Sequence, residues 1–154
     1  MPRVTQILIA PTAGAPMLPL QQAYVVPGKG IQGDRYFSGA GTFSKQPQKI
    51  DSEMTLIESE MLASFAELSG LPFDASLARR NVVTEGVDLN ALVDVEFFVG
   101  KVRVRGIRLC EPCKYLAAIS FPEVLPGLIH KAGLRVQVMT EGILSVGDAI
   151  FPVD

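Results

Sequence analysis

The chain has two cysteines, and they stand three residues apart in the run Cys110-Glu111-Pro112-Cys113. Pro112 restricts the backbone of this run, so a turn can bring both sulfur atoms to one side. The thiolate is the form of cysteine that attacks an electrophile, carries sulfur or binds a metal. The spacing therefore predicts a site whose chemistry depends on these thiols.

Cationic residues flank the cysteine pair in the sequence. They are Arg103, Arg105, Arg108 and Lys114. Positive charge close to a thiol favours the thiolate. A thiolate can accept sulfane sulfur as a persulfide, with the second cysteine resolving the intermediate, and it can also bind a soft metal centre. The residues alone leave both chemistries open.

Three other interpretations compete for the cysteine pair. Half of a structural zinc site is one, although the chain has no second cysteine pair and its single histidine is His130. A thioredoxin-type redox motif is another, but the expected strand-helix-strand pattern is missing around it. The third is a pair of inert buried thiols, the commonest state of a free cysteine.

The elements that position these residues are mostly short strands. Alternating or β-branched runs between glycine and proline turns predict strands at residues 4–10, 22–26, 54–57, 81–84, 93–99, 101–110, 134–139 and 149–153. Residues 28–41 are a glycine-rich loop, and residues 141–148 form a turn with a short apolar stretch. Many short strands favour a mainly β fold, a closed or partly closed β-barrel with one or two short helices.

The one convincing helix follows residues 54–57. Ser59 is its predicted cap, and Gly70 ends it. Its apolar positions recur at helical spacing and are Met61, Leu62, Phe65 and Leu68.

The strand at 101–110 leads directly into the cysteine pair. Val102 and Val104 alternate with charged residues, and the apolar phase shifts by one after Gly106. A bulge near residues 105–106 accounts for the shift. The pattern places Arg108 and Cys110 together on the polar face.

Size and charge limit the class of protein. A chain of 154 residues predicts one domain, 1–154. A net charge of −2 gives no general reason to expect nucleic-acid or membrane-surface binding. No export signal or long apolar segment is visible, and two closely spaced cysteines suit a reducing compartment. We therefore expect a cytoplasmic protein.

Several short motifs occur in an order that resembles the MOSC domain family, named for the C-terminal domain of molybdenum cofactor sulfurases. In chain order they are Gly30-Ile31-Gln32-Gly33-Asp34-Arg35-Tyr36, Arg80-Asn81-Val82-Val83, Asp88-Leu89-Asn90-Ala91-Leu92, the cysteine run, Gly133-Leu134-Arg135 and Val146-Gly147-Asp148. The sequence departs from the family at Tyr36, where histidine is frequent, and in the loop at 38–48. The resemblance spans nearly the whole chain and implies a β-barrel.

The resemblance also implies chemistry. Sulfurase members of the family use a cysteine to handle sulfur for the molybdenum cofactor, and amidoxime-reducing members use one to hold molybdenum. Carried over, the catalytic and metal-binding cysteine is Cys113, with Cys110 as the second thiol. No pyridoxal phosphate site is apparent, so a desulfurase or a reductase would be a separate partner protein.

Arginines form the second predicted constellation. Those at motif positions are Arg35, Arg79, Arg80, Arg108 and Arg135. Clustered guanidinium groups would suit the phosphate of molybdopterin, although single arginines can equally be solvated or pair with Asp34 or Glu85. The residues expected to bind the cofactor are Gly33, Asp34, Arg35, Arg80, Asn81, Arg108 and Arg135.

Three of the remaining polar residues have more than one interpretation. Asp34 can orient Arg35 or act as a general base, and Asn81 can bind a ligand or cap a strand. His130 ends an apolar stretch and is expected to be structural.

The leading hypothesis is a molybdenum-cofactor-binding or sulfur-carrying protein that works through a cysteine thiolate at the barrel mouth. The alternatives are a molybdenum-dependent reductase component acting on N-hydroxylated compounds, and a non-catalytic binding module.

Overall fold

A computed structural model describes residues 1–38 and 52–154, and the predicted loop glycines Gly39 and Gly41 lie outside this part. Eleven strands run through the described residues: β1 Arg3–Ile9, β2 Leu18–Leu20, β3 Gln22–Val26, β4 Gly30–Ile31, β5 Met54–Glu58, β6 Val82–Glu85, β7 Glu96–Val99, β8 Val102–Leu109, β9 Leu134–Val138, β10 Gly142–Ser145 and β11 Ile150–Pro152. The helices there are α1 Arg35–Ser38, α2 Ser59–Ser69, α3 Ala75–Ala78, α4 Lys114–Ile119 and α5 Val124–Gly127, with a 3₁₀ turn at Leu89–Leu92.

The strands form a curled sheet that nearly closes. Eight of them lie in the order β11-β7-β8-β9-β5-β6-β1-β2, and β10-β3-β4 form a smaller sheet. The two halves of the large sheet meet where β1 approaches the chain before β11: Val4 N–H donates to Asp148 O at 2.8 Å, and Gly147 N–H donates to Val4 O at 2.8 Å. The predicted mainly β, partly closed barrel is confirmed.

The predicted strands are all present, with ends that differ by at most three residues. The 141–148 turn contains β10, so the turn prediction there was incomplete. The predicted loop at 28–41 contains β4 and α1, and β2 was not predicted either. Ser59 is not the cap of α2, because Glu58 holds the N-cap position and makes no side-chain capping bond. The short helices α1, α3, α4 and α5 were not predicted, and none of the helices in the described chain is long and apolar enough to cross a membrane.

Two apolar clusters lie on the two sides of the large sheet. One fills the inside of the curl and includes Met54, Leu56 and Val136. The other lies under the helices and includes Ile57 and Leu116. Strand β5 is buried at every position because it contributes to both clusters. Burial of these apolar surfaces is the main source of stability.

The predicted bulge in β8 is confirmed, one residue later than expected. The register against β9 shifts between Gly106 and Arg108, which makes Ile107 the extra residue. Gly106 is required there because a Cβ atom would lie 2.0 Å from the main-chain oxygen of Leu92. The bulge bends β8 before the cysteine run begins.

Candidate functional site

A cleft of about 430 Å³ lies beside the neighbouring strands β8, β9 and β5. Its lining residues are Gly14, Arg35, Tyr36, Ser52, Arg79, Arg80, Arg108, Glu111, Pro112, Cys113, Tyr115, Leu116 and Arg135. Five of these are arginines and one is a carboxylate. A cleft with this balance of charge attracts anions.

Cys113 reaches this cleft because it occupies the N-cap position of α4. Its Sγ accepts a hydrogen bond from Leu116 N–H at 3.5 Å. This bond fixes the sulfur atom at the start of the helix. The side chain is half-buried, so a ligand in the cleft can contact it.

Cys110 lies elsewhere. It is 1% exposed and does not line the cleft, and its N–H donates to Gly133 O at 2.8 Å. The prediction that Arg108 and Cys110 share a polar face is therefore wrong: Arg108 is exposed while Cys110 turns inward after β8 ends. The two thiols are free and in different surroundings.

The arginines that flank the cysteines in the sequence lie in two different places in the structure. Arg103 pairs with Glu96 at 2.6 Å, and Arg105 lies 3.8 Å from Asp94. Neither arginine lines the cleft, so the expectation that they support the thiols is wrong. Arg108 does line the cleft, because it follows the bulge and lies opposite Arg135 of β9.

Arg35 is held in the cleft wall by the loop before α1. Its Nη1 donates to Asp34 Oδ1 at 3.0 Å, and its Nη2 donates to Arg79 O at 3.0 Å. Asp34 also accepts from Ala10 N–H at 3.0 Å, so the carboxylate orients the guanidinium. Gly33 enters this turn with φ of +90°, a conformation that favours glycine.

Arg79 has one guanidinium nitrogen that accepts no help from the described protein in satisfying its hydrogen bonds. Its Nη1 donates to Ala15 O at 2.6 Å, but its Nη2 is buried with no hydrogen-bond partner in the described part of the chain. Burial, followed by the positive charge of Arg35, lowers the pKa of Arg79. The negative charge of an anion in the cleft would offset the repulsion between Arg79 and Arg35.

Arg79 was not among the residues expected to bind the cofactor. Its backbone adopts φ of +57°, at the C-cap of α3, and non-glycine residues rarely adopt this conformation. The sequence contains no signal that would have separated Arg79 from its neighbour Arg80.

Arg80 is occupied by the protein itself. Its Nε donates to Ala132 O at 2.8 Å, and its Nη2 donates to Cys110 O at 3.2 Å and more weakly to Glu111 O at 3.5 Å. These bonds tie the cysteine run to the chain before β9. The guanidinium therefore positions the run that carries Cys113, and it also contributes positive charge to the cleft.

Asn81 is fully buried outside the cleft. Its Nδ2 donates to Leu8 O at 3.1 Å, and its Oδ1 accepts from Thr55 N–H at 3.1 Å. These contacts join β1, β5 and β6. Of the two interpretations of Asn81, ligand binding or a structural role at a strand end, they support the structural role. Arg135 is brought into the cleft by its register opposite Thr55 and Arg108.

Glu111 and His130 form a contact at the rim. Glu111 Oε1 accepts from His130 N–H at 2.7 Å, and Oε2 lies 2.6 Å from His130 Nδ1. Asn90 Nδ2 donates to His130 O at 2.8 Å. His130 is exposed, and the structural role expected for it agrees with these contacts.

The donor groups fit the molybdenum cofactor in type. No group of three or more His, Cys, Asp or Glu side chains in residues 1–38 and 52–154 could hold a metal ion. A metal carried by a pterin needs less from the protein, namely a soft ligand and donors for a phosphate. Cys113 and the unsatisfied Arg79 Nη2 are such groups.

The cleft and the curled sheet define a class of protein. The sequence profile of the MOSC domain matches residues 40–151, and the chain belongs to this family, which is associated with the molybdenum cofactor. No curated protein matches at a significant level.

Solved structures with the same fold include three bacterial proteins. YuaD from Bacillus subtilis superposes with a TM-score of 0.79 at 18% identity, over 97% of this chain and 94% of that one. YiiM from Geobacillus stearothermophilus superposes with a TM-score of 0.74 at 18% identity, over 100% of this chain and 76% of that one. YiiM from Escherichia coli superposes with a TM-score of 0.67 at 15% identity, over 99% of this chain and 70% of that one.

Proposed function

We propose that the arginine cleft binds the molybdenum cofactor, or a related pterin phosphate, and that Cys113 handles sulfur at that cofactor. The observation that carries the proposal is a cleft lined by five arginines and one carboxylate, which also contains a half-buried thiol. One of these arginines, Arg79, has a buried Nη2 with no hydrogen-bond partner in the described chain. A buried donor of this kind costs about 1–3 kcal/mol until an acceptor reaches it. A phosphate oxygen is a suitable acceptor.

The arginines have different tasks in this proposal. Arg79 donates to the phosphate, and Arg108 and Arg135 add positive charge from neighbouring strands. Arg35 supports Arg79 through the bond from its Nη2 to Arg79 O. Charge-assisted hydrogen bonds to phosphate are shorter and stronger than neutral ones.

Sulfur chemistry belongs to the thiol. The Cys113 thiolate attacks the outer sulfur of a persulfide on a partner desulfurase, forming a new S–S bond at Cys113 Sγ. The S–S bond of the donor breaks, and its electron pair leaves on the donor thiolate, so no external oxidant or reductant is needed. When bound, the cofactor would supply a soft metal centre, for which the Cys113 sulfur is a suitable ligand. Leu116 N–H holds Cys113 Sγ at the cleft before and after transfer.

The anion half of the proposal is tested by titrating inorganic phosphate into the full chain. We expect saturable binding, weakened about tenfold or more in Arg79→Gln, since one charge-assisted bond contributes roughly 1.5–3 kcal/mol. Arg105→Gln removes the same charge from outside the cleft and is the matched control. Equal weakening in both variants would mean that net charge alone attracts phosphate.

The sulfur half is tested by mass spectrometry after treatment with a persulfide donor. We expect one added sulfur on Cys113, lost in Cys113→Ser and kept in Cys110→Ser, because Cys110 is buried away from the cleft. Labelling that survives Cys113→Ser would reject the assignment. Metal analysis separates the alternatives: stoichiometric bound molybdenum would favour the reductase hypothesis over sulfur transfer.

A further inference from the structure

We propose that His130 holds the Glu111 carboxylate away from the arginine cleft, and that this clamp keeps the cleft open to anionic ligands. The inference rests on the proposed function in one respect, since it requires an anion to bind in this cleft. It identifies Glu111 as an internal competitor and His130 as the residue that restrains it.

Glu111 is well placed to compete. It is the one carboxylate among the described residues that line the cleft. Its own main-chain oxygen accepts from Arg80 Nη2 at 3.5 Å, so its backbone lies against the arginine group. From there a carboxylate that rotated inward would meet guanidinium donors and form the same charge-assisted bonds as a phosphate. A released Glu111 would therefore lower the affinity for an anion.

The clamp holds both carboxylate oxygens. The main-chain N–H of His130 binds Oε1 at 2.7 Å, and Nδ1 lies 2.6 Å from Oε2. With both oxygens engaged, the side chain is directed toward His130. Both contacts come from one residue, and the ring contact is the one that a substitution of His130 can remove.

The backbone of His130 has a left-handed conformation, which indicates that the side chain at this position has a role. Its φ is +61°, a conformation that costs a non-glycine residue about 1 kcal/mol. Asn90 Nδ2 holds the main-chain oxygen of His130 at 2.8 Å, which fixes the residue from the other side. Glycine would fit this backbone without strain, but it would lack the ring nitrogen that binds Glu111. The strained residue is therefore explained by its side-chain contact.

The test measures inorganic phosphate affinity in variants of the full chain. His130→Gly suits the backbone and keeps the main-chain N–H, while it deletes the ring contact. We expect its Kd for phosphate to rise about fivefold, the size of effect that an exposed polar contact of roughly 1 kcal/mol can produce. In the double variant Glu111→Gln with His130→Gly, the Kd should return to the original value or lower, because no carboxylate is left to compete.

Rescue is the decisive result. If His130 only stabilised the loop, Glu111→Gln would change the phosphate Kd by the same factor in the unaltered chain and in His130→Gly, whereas the clamp predicts a larger gain in His130→Gly. Glu96→Gln, which removes a similar carboxylate from its 2.6 Å pair with Arg103 outside the cleft, is the control and should not rescue His130→Gly. Thermal unfolding of each variant confirms that it is folded.

Two outcomes overturn the clamp, and they are distinguishable from a failure of the proposed function. Phosphate binding that is equal in the unaltered chain and in His130→Gly rejects the clamp alone. The same holds if the double variant binds as weakly as His130→Gly. Absence of phosphate binding in the unaltered chain rejects the proposed function, and the clamp with it.

Discussion

Arginines in two regions of this molecule are held in contrasting ways. On the outer face of β7 and β8, Arg103 has a carboxylate partner at 2.6 Å and Arg105 has one at 3.8 Å. In the cleft, the acceptors of Arg79 and Arg80 are main-chain oxygens, and one nitrogen of Arg79 has no acceptor in the described chain. The first arrangement neutralises the charge locally, and the second leaves it available to a ligand.

The density of cations along the sequence therefore does not locate an anion site. The run from Arg103 to Arg108 is the most cationic in the chain, yet its first two arginines already have acidic neighbours on the strand or turn beside them. Among the described residues, what distinguishes the cleft is that Arg79 is partly buried, Arg80 is buried, and neither pairs with a carboxylate. This difference can be tested with paired substitutions, one in each region.

The largest expected effect on stability is that of Arg80→Met. The substitution removes a buried donor from the main-chain oxygens of Ala132 and Cys110, which lie 2.8 and 3.2 Å from Arg80 nitrogens. We expect a loss of about 3 kcal/mol in the free energy of unfolding, measured in urea. Arg103→Met should lose about 0.5 kcal/mol, because its ion pair is exposed. Similar losses in the two variants would contradict the comparison.

A smaller effect separates the backbone of Arg79 from its side chain. Because φ is +57° at this position, Arg79→Gly should be more stable than Arg79→Ala by about 1 kcal/mol. Both variants lack the guanidinium, so both should lose phosphate affinity to the same extent. If the glycine variant were no more stable than the alanine variant in urea unfolding, backbone strain at residue 79 would be ruled out.

The sequence predicted the sheet well and the helices poorly. Alternation identified β8 and its bulge, since Val102 and Val104 show a clear period of two that breaks after Gly106. Strand β10 was missed because it is only four residues long, begins at Gly142 and lies in a segment rich in turn residues. Helices of four to six residues are too short to show a period of 3.6, so α3 and α4 left no recognisable pattern.

The candidate site was predictable only in part. The order of motifs indicated the family and pointed to Cys113, but the two cysteines could not be told apart by residue type or charge. Their difference arises in three dimensions: β8 ends at Leu109, Cys110 bonds to the chain before β9, and Cys113 starts a helix. Likewise, Arg79 and Arg80 are adjacent and chemically identical, and only the left-handed backbone of Arg79 separates their environments.

Buried carboxylates make the stability of the fold depend on pH. Burial raises the pKa of Glu53, although N–H groups of Val138 and Gly28 oppose the shift. Between the ordinary pKa and the raised one, the folded state binds more protons than the unfolded state, so stability falls as pH rises through that window. Glu53→Gln should reduce this fall. Burial also raises the pKa of Glu58, so some of the fall should remain.

Urea unfolding at a series of pH values from about 4 to 8 measures this effect. The informative quantity is the difference between Glu53→Gln and the unaltered chain, which should grow in favour of the glutamine variant as pH rises. A constant difference across the range would show that proton binding at Glu53 does not couple to folding.

The smallest expected effect is that of Arg105→Gln, which serves as the control outside the cleft. Arg105 and Asp94 are largely exposed and 3.8 Å apart, so solvent screens their attraction and the pair holds neither side chain firmly. We expect a change below about 0.5 kcal/mol in the free energy of unfolding and less than about a twofold change in phosphate Kd. A phosphate Kd that rose as far as in Arg79→Gln would show that the outer face contributes to anion attraction as much as the cleft does. The distinction between neutralised and available arginines would then lose its basis, because equal charges would act equally wherever they lie.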